Sequence, residues 1–149
     1  MPLTRQKPRR YQSDAPPHHI GYRVAGGSTI HGGAALAIDT QAGFGFAAPL
    51  AYSATKVFIG FAEKGVDNAD GSAGDVTCQV RTNGLLHVKQ SDIAGADPED
   101  VGDTVYMTDD DDAFTMTSTN AVPIGTLAAV DETTGVAVIA FQGVGVRSV

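Results

Sequence analysis

Residues 101–125, VGDTVYMTDDDDAFTMTSTNAVPIG, constrain the fold more than any other stretch. Residues 105–108 and 113–117 are two short β-favouring runs separated by four consecutive aspartates. Val105 and Met107 fall on one face and Tyr106 and Thr108 on the other. Phe114 and Met116 likewise share a face opposite Thr115 and Thr117. A period of two marks half-buried strands, and a polar break between two such runs predicts a hairpin. Nothing in the stretch resembles catalytic machinery.

The rest of the chain has the same grain. Residues 36–39 predict a first body strand, and Phe44 and Phe46 share a face between glycines. Residues 49–53 read as a turn or loop. Residues 57–63 form the most apolar run and predict the central strand. Residues 65–75, GVDNADGSAGD, read as a long solvated loop. Residues 76–80 and 85–88 flank Asn83-Gly84, a strong hairpin turn signal. Asp97-Pro98 predicts a single helical turn, with Asp97 as cap and Pro98 in first position. Residues 125–130 and 136–141 predict a last pair around the turn 131–135. Eighteen glycines among 149 residues favour tight turns over long helices. About eight short strands predict an all-β fold, a small β-barrel or sandwich of short strands with an extended N-terminal arm.

The arm is predicted at residues 1–33 and the β-barrel-like body at residues 34–149. Residues 1–23 carry Arg5, Lys7, Arg9, Arg10 and Arg23 against Asp14 alone, whereas the remainder carries five basic and sixteen acidic residues. A basic arm on an acidic body is dipolar, and the arm should seek an acidic surface. Residues 1–17 include Pro2, Pro8, Pro16 and Pro17 and little apolar surface, so alone they should be disordered or extended. Tyr11, Ile20, Tyr22 and Val24 are spaced anchors for a groove on a partner. Residues 25–35, AGGSTIHGGAA, read as a glycine-rich hinge without any phosphate-binding pattern.

The remaining chemistry-bearing residues form no ordered set. Placing Gly71 sixth in a calcium loop puts Val66 first and Thr77 twelfth, where a bidentate Glu belongs. Asp109, Asp110, Asp111 and Asp112 read as a solvated charged turn that guards the hairpin tip against edge pairing. His18, His19, His31 and His87 lack metal spacing. No serine sits in a GxSxG elbow. Cys78, the single cysteine, reads as a small core residue. No catalytic residue, metal or cofactor is expected. No apolar run approaches the roughly 20 residues that span a bilayer, and no secretory h-region is evident, so no membrane partner is expected. The acidic body argues against nucleic acid, and the short basic cluster at residues 7–10 lacks a scaffold to enter a groove.

Residues 60–88, GFAEKGVDNADGSAGDVTCQVRTNGLLHV, followed in order by GDTVYMTDDDDAFTMT, IGTLAAV and GVAVIAF, form a recurrent glycine-and-strand pattern. That pattern, over roughly residues 34–141, resembles the capsid decoration or cement proteins of tailed bacteriophages. The resemblance implies a non-enzymatic, β-barrel-like structural protein, usually a homotrimer. It implies a seat on the outer capsid surface of the virion, bridging adjacent major capsid protein subunits. The arm lies outside the resemblance. Extended, its 33 residues reach on the order of 100 Å. Arg5, Lys7, Arg9, Arg10 and Arg23 would meet acidic patches of the shell, and Tyr11, Ile20 and Tyr22 would fill apolar pockets. The alternatives from other classes are a virion-surface receptor- or glycan-binding module and a trimeric β-fold nucleotide hydrolase. The first is opposed by the absence of Trp and the second by the absence of an ordered acid, arginine and metal set.

Overall fold

The computed structural model describes residues 2–11, 19–40, 45–111 and 113–143. Among these residues the chain is all-β, with fourteen strands and two single 3-10 turns. In chain order the strands are β1 (Arg10–Tyr11), β2 (His19–Arg23), β3 (Ser28–Ile30), β4 (Ala35–Asp39), β5 (Ala48–Pro49), β6 (Lys56–Ala62) and β7 (Val66–Asn68). They continue as β8 (Thr77–Arg81), β9 (Asn83–Lys89), β10 (Ile93–Ala94), β11 (Thr104–Met107), β12 (Phe114–Thr115), β13 (Val122–Asp131) and β14 (Val136–Gln142). A seven-stranded sheet runs β1-β9-β14-β13-β11-β12-β10, a five-stranded sheet runs β2-β8-β6-β4-β5, and β3 pairs with β7 as a ribbon. No sheet closes on itself, so the sandwich form of the expected fold is the one present.

The main core lies between the two large sheets. Ala35, Ala37, Phe58 and Phe61 of the five-stranded sheet meet Leu86, Val105, Met107, Ile124, Leu127, Ile139 and Phe141 of the seven-stranded sheet. A second cluster covers the opposite face of the five-stranded sheet, where Leu36, Ile59, Cys78 and Val80 pack with Ile30 of the ribbon and with Val24. The five-stranded sheet is therefore buried on both faces, which explains why residues 57–62 read as an unbroken apolar run. β6 also breaks strict alternation. Its register against β4 slips between Leu36 and Ala37, at Gly60 with φ 138°. A Cβ there would overlap the Arg81 carbonyl, so only glycine fits this bulge. The slip turns both Phe58 and Phe61 toward the main core, where they meet Phe141 edge-on at 6.3 and 4.9 Å between ring centroids.

The expected hairpin of residues 105–117 is present: β11 and β12 are antiparallel, with Tyr106 opposite Thr115 and Met107 opposite Phe114. The 131–135 turn joins β13 to β14, and its Asp131 Oδ1 accepts the Thr133 and Thr134 N–H groups. The turn at Pro98–Asp100 also forms, with the Asp97 N–H donating to Asp100 Oδ2 at 2.9 Å.

Four expectations are corrected. Asn83-Gly84 makes no turn: both residues lie inside β9, opposite Gln142 and Phe141. The chain instead crosses from the five-stranded to the seven-stranded sheet at buried Thr82. Pairing of β9 with β14 along its whole length outweighs the local turn preference, and the Phe141 ring fills the space beside Gly84. The polar loop 65–75 contains β7 and is pinned by buried Asn68, whose side-chain amide donates to the carbonyls of Val24, Ala25 and Ser72. Residues 19–33 are not a hinge or arm: β2 and β3 are body strands, and Val24 and Ile30 are core residues. The aspartate turn is not merely solvated, because Asp110 is buried. Phe44 and Asp112 lie outside the described residues.

Candidate functional site

Residues 2–11 form a strap laid across the body. Its floor is made of glycines. The Lys7 N–H donates to the Gly32 carbonyl at 2.6 Å, the Gly32 N–H donates to Gln6 Oε1, and Arg9 Nε donates to the Gly33 carbonyl at 2.8 Å. Gly33 has φ 84°, and a Cβ on it would overlap the Lys7 carbonyl. Cβ atoms on Gly32 and Gly65 would overlap the Gln6 side chain. The glycine pair that sequence assigned to a hinge is a bed on which another backbone lies.

The acidic turn forms one wall. Asp110 Oδ1 accepts the Leu3 N–H at 2.9 Å, and its carbonyl accepts the Ala35 N–H, which ties the turn to β4. Lys7 Nζ meets Asp111 Oδ1 at 2.6 Å. Asp109 Oδ1 accepts the Asp111 N–H and shapes the turn. Burial raises the Asp110 pKa, and the flanking Asp109 and Asp111 charges push the same way. The Leu3 N–H opposes them without reversing the shift.

The far end of the strap is held by rings. The Arg9 guanidinium lies 4.8 Å from the Phe61 ring centroid and 5.9 Å from that of Phe114. The Arg81 guanidinium stacks on Tyr11 at 3.8 Å, and the Tyr11 ring meets Phe141 at 5.8 Å. Desolvated cation–π contacts of this kind are worth about 0.5–2 kcal/mol each. Burial drives the Tyr11 phenol up to about 12, against the smaller lowering influence of Arg9 and Arg81. β1 then adds to the edge of β9, with Arg10 opposite His87 and Tyr11 opposite Leu86. Beside the strap, Glu63 Oε1 accepts His19 Nε2 at 2.8 Å and faces Arg81 Nη1 at 3.9 Å.

Of the eight residues that sequence put forward for a partner, the strap groove gathers Lys7, Arg9 and Tyr11. Arg5 and Arg10 stay exposed along the strap, and Arg23 is exposed on β2. Ile20 and Tyr22 are half-buried on β2, where Tyr22 packs on the second cluster and burial raises its pKa. Sequence reasoning missed Gly32, Gly33, Asp110, Asp111 and Arg81 as groove residues. The available signal was the opposite charge of the arm and the aspartate turn. Cys78 is buried in the second cluster, and burial lifts its thiol to about 11. Among the described residues no cluster of His, Cys, Asp and Glu is arranged to hold a metal ion, and no helix is long and apolar enough to cross a membrane. Set beside protein-family models, curated proteins and solved structures, the chain matches none.

Proposed function

We propose that this chain is a structural cement or decoration protein of a tailed-phage head. It binds the outer capsid surface as a homotrimer and bridges adjacent major capsid protein subunits. The observation that supports this reading is where the family-like pattern falls. Its glycines and asparagine occupy positions that the fold depends on: Gly60 at the β6 bulge, Asn68 pinning the loop, and Gly125 under the Ala140 backbone. A resemblance carried by such residues is a resemblance in architecture. The mechanism is binding: association energy is available only to the assembled shell and stabilises it by mass action.

The strap geometry divides the arm's work. Lys7, Arg9 and Tyr11 hold the strap on the body, and Arg5, Arg10 and Arg23 remain to face acidic patches of the shell. Rim charges of this kind set on-rate and salt dependence. The test is co-sedimentation with undecorated cognate shells. The full chain is expected to bind saturably, and the triple change Arg5→Glu, Arg10→Glu, Arg23→Glu to bind about ten-fold or more weakly at low salt, where such charges act most. Absence of binding by the full chain to a cognate shell overturns the reading. Equal binding by the triple variant overturns the role given to these three arginines.

A further inference from the structure

The strap is held as a bound peptide is held. The polar and ring partners of the strap described above lie at or beyond residue 32, and Leu3 packs on the second cluster, which includes Val24 and Ile30. The groove is nevertheless specific for this peptide. It has a glycine floor where backbone approaches backbone, two carboxylates for a main-chain N–H and a lysine, and rings that take an arginine and a tyrosine. An identical segment from a second copy carries the same complementarity. The strap also joins the seven-stranded sheet, whereas the chain resumes at His19 in the five-stranded one.

We infer that the groove is a strand-acceptor site for residues 2–11 of a second copy of this chain, so that in the assembled state the straps are exchanged between subunits. Exchange keeps every strap contact and exposes no new surface, so it costs only what association costs. It links separate bodies through their straps, and once one strap is exchanged the next binds at high effective concentration. The inference stands on the groove alone and does not depend on what the assembly binds.

The Lys7–Asp111 ion pair supplies the test, because a carbodiimide joins an amine to a carboxylate with no spacer. Full-length chain with natural isotopes and full-length chain labelled with nitrogen-15 are co-refolded in equal amounts over a range of concentrations. The product is cross-linked and digested, and the Lys7–Asp111 peptide pair is weighed. Asp111→Asn is the control that removes this cross-link. Exchanged straps are expected to give roughly half mixed-label pairs at high concentration, the share falling on dilution. Same-label pairs alone at every concentration overturn the inference and leave the strap an intramolecular latch. Loss of shell binding without loss of mixed-label pairs would count against the proposed function and not against the exchange.

Discussion

Asp110 shows what one buried carboxylate does in this fold. Its ionised form is disfavoured by burial and by two like charges, yet its Oδ1 is the acceptor for Leu3. An acid whose folded pKa is raised contributes most at low pH, and that contribution is lost as pH rises through the raised value. Asp110→Asn keeps an acceptor and removes the charge. It is expected to raise the melting temperature at neutral pH and to leave it unchanged near pH 3. Asp110→Ala removes the acceptor and is expected to cost about 1–3 kcal/mol near pH 3, and less at neutral pH, where the penalty of the buried charge is removed with it. Thermal melts of the two variants across pH decide this, and a lower melting point for Asp110→Asn at neutral pH would refute it. Sequence could not show the burial, because a run of four aspartates is ordinarily solvated and only the chain's return past it encloses the second one.

At the scale of an element, the strap is a short strand whose docking is reported by its own tyrosine. The Tyr11 phenol is held protonated up to about 12 by burial, against an unperturbed value of 10.0. A raised folded pKa means the docked strap is fully favoured below pH 10 and loses that stabilisation as pH rises toward 12. Tyr22 is also raised, and ultraviolet titration is expected to show a separate step near 12 from Tyr11 that shifts toward 10 in Gly33→Ala, where the new Cβ overlaps the Lys7 carbonyl and the strap is displaced. An unchanged late titration in that variant would show that the strap does not depend on the glycine floor. The hairpin of β11 and β12 was legible in sequence because alternation and a polar turn coincide there. The β8–β9 connection was misread because Asn-Gly carries a local preference that non-local pairing with β14 overrides. The seat of Lys7, Arg9 and Tyr11 on the chain's own body was not legible, since glycines in a floor and glycines in a hinge look alike in one dimension.

For the whole molecule, the two sheets cohere through few large side chains. Phe141 of β14 touches Phe58 and Phe61 of β6 and Tyr11 of the strap, so one ring joins both sheets and the N-terminal segment. Phe141→Ala is expected to cost about 3–5 kcal/mol and to lower the Tyr11 pKa in the same variant. Denaturant unfolding with the tyrosine titration as a second readout checks it. Loss of stability with an unmoved Tyr11 would separate the strap from the core. The all-β class was legible from strand period and glycine content. The division into two sheets was not, because the crossing at Thr82 leaves no mark on the alternation around it.

The long reach of the strap contacts also sets an order of events. Leu3 meets Asp110 across 107 positions of sequence, and Lys7 meets Asp111 across 104. On a ribosome the strap is made well before the wall that receives it, and chains fold as their parts emerge. Contacts of such separation close late, after nearer pairings have formed. The strap thus leaves the exit tunnel long before the aspartates that receive it and is among the last segments to find its seat, and through that interval it is open to any finished neighbour.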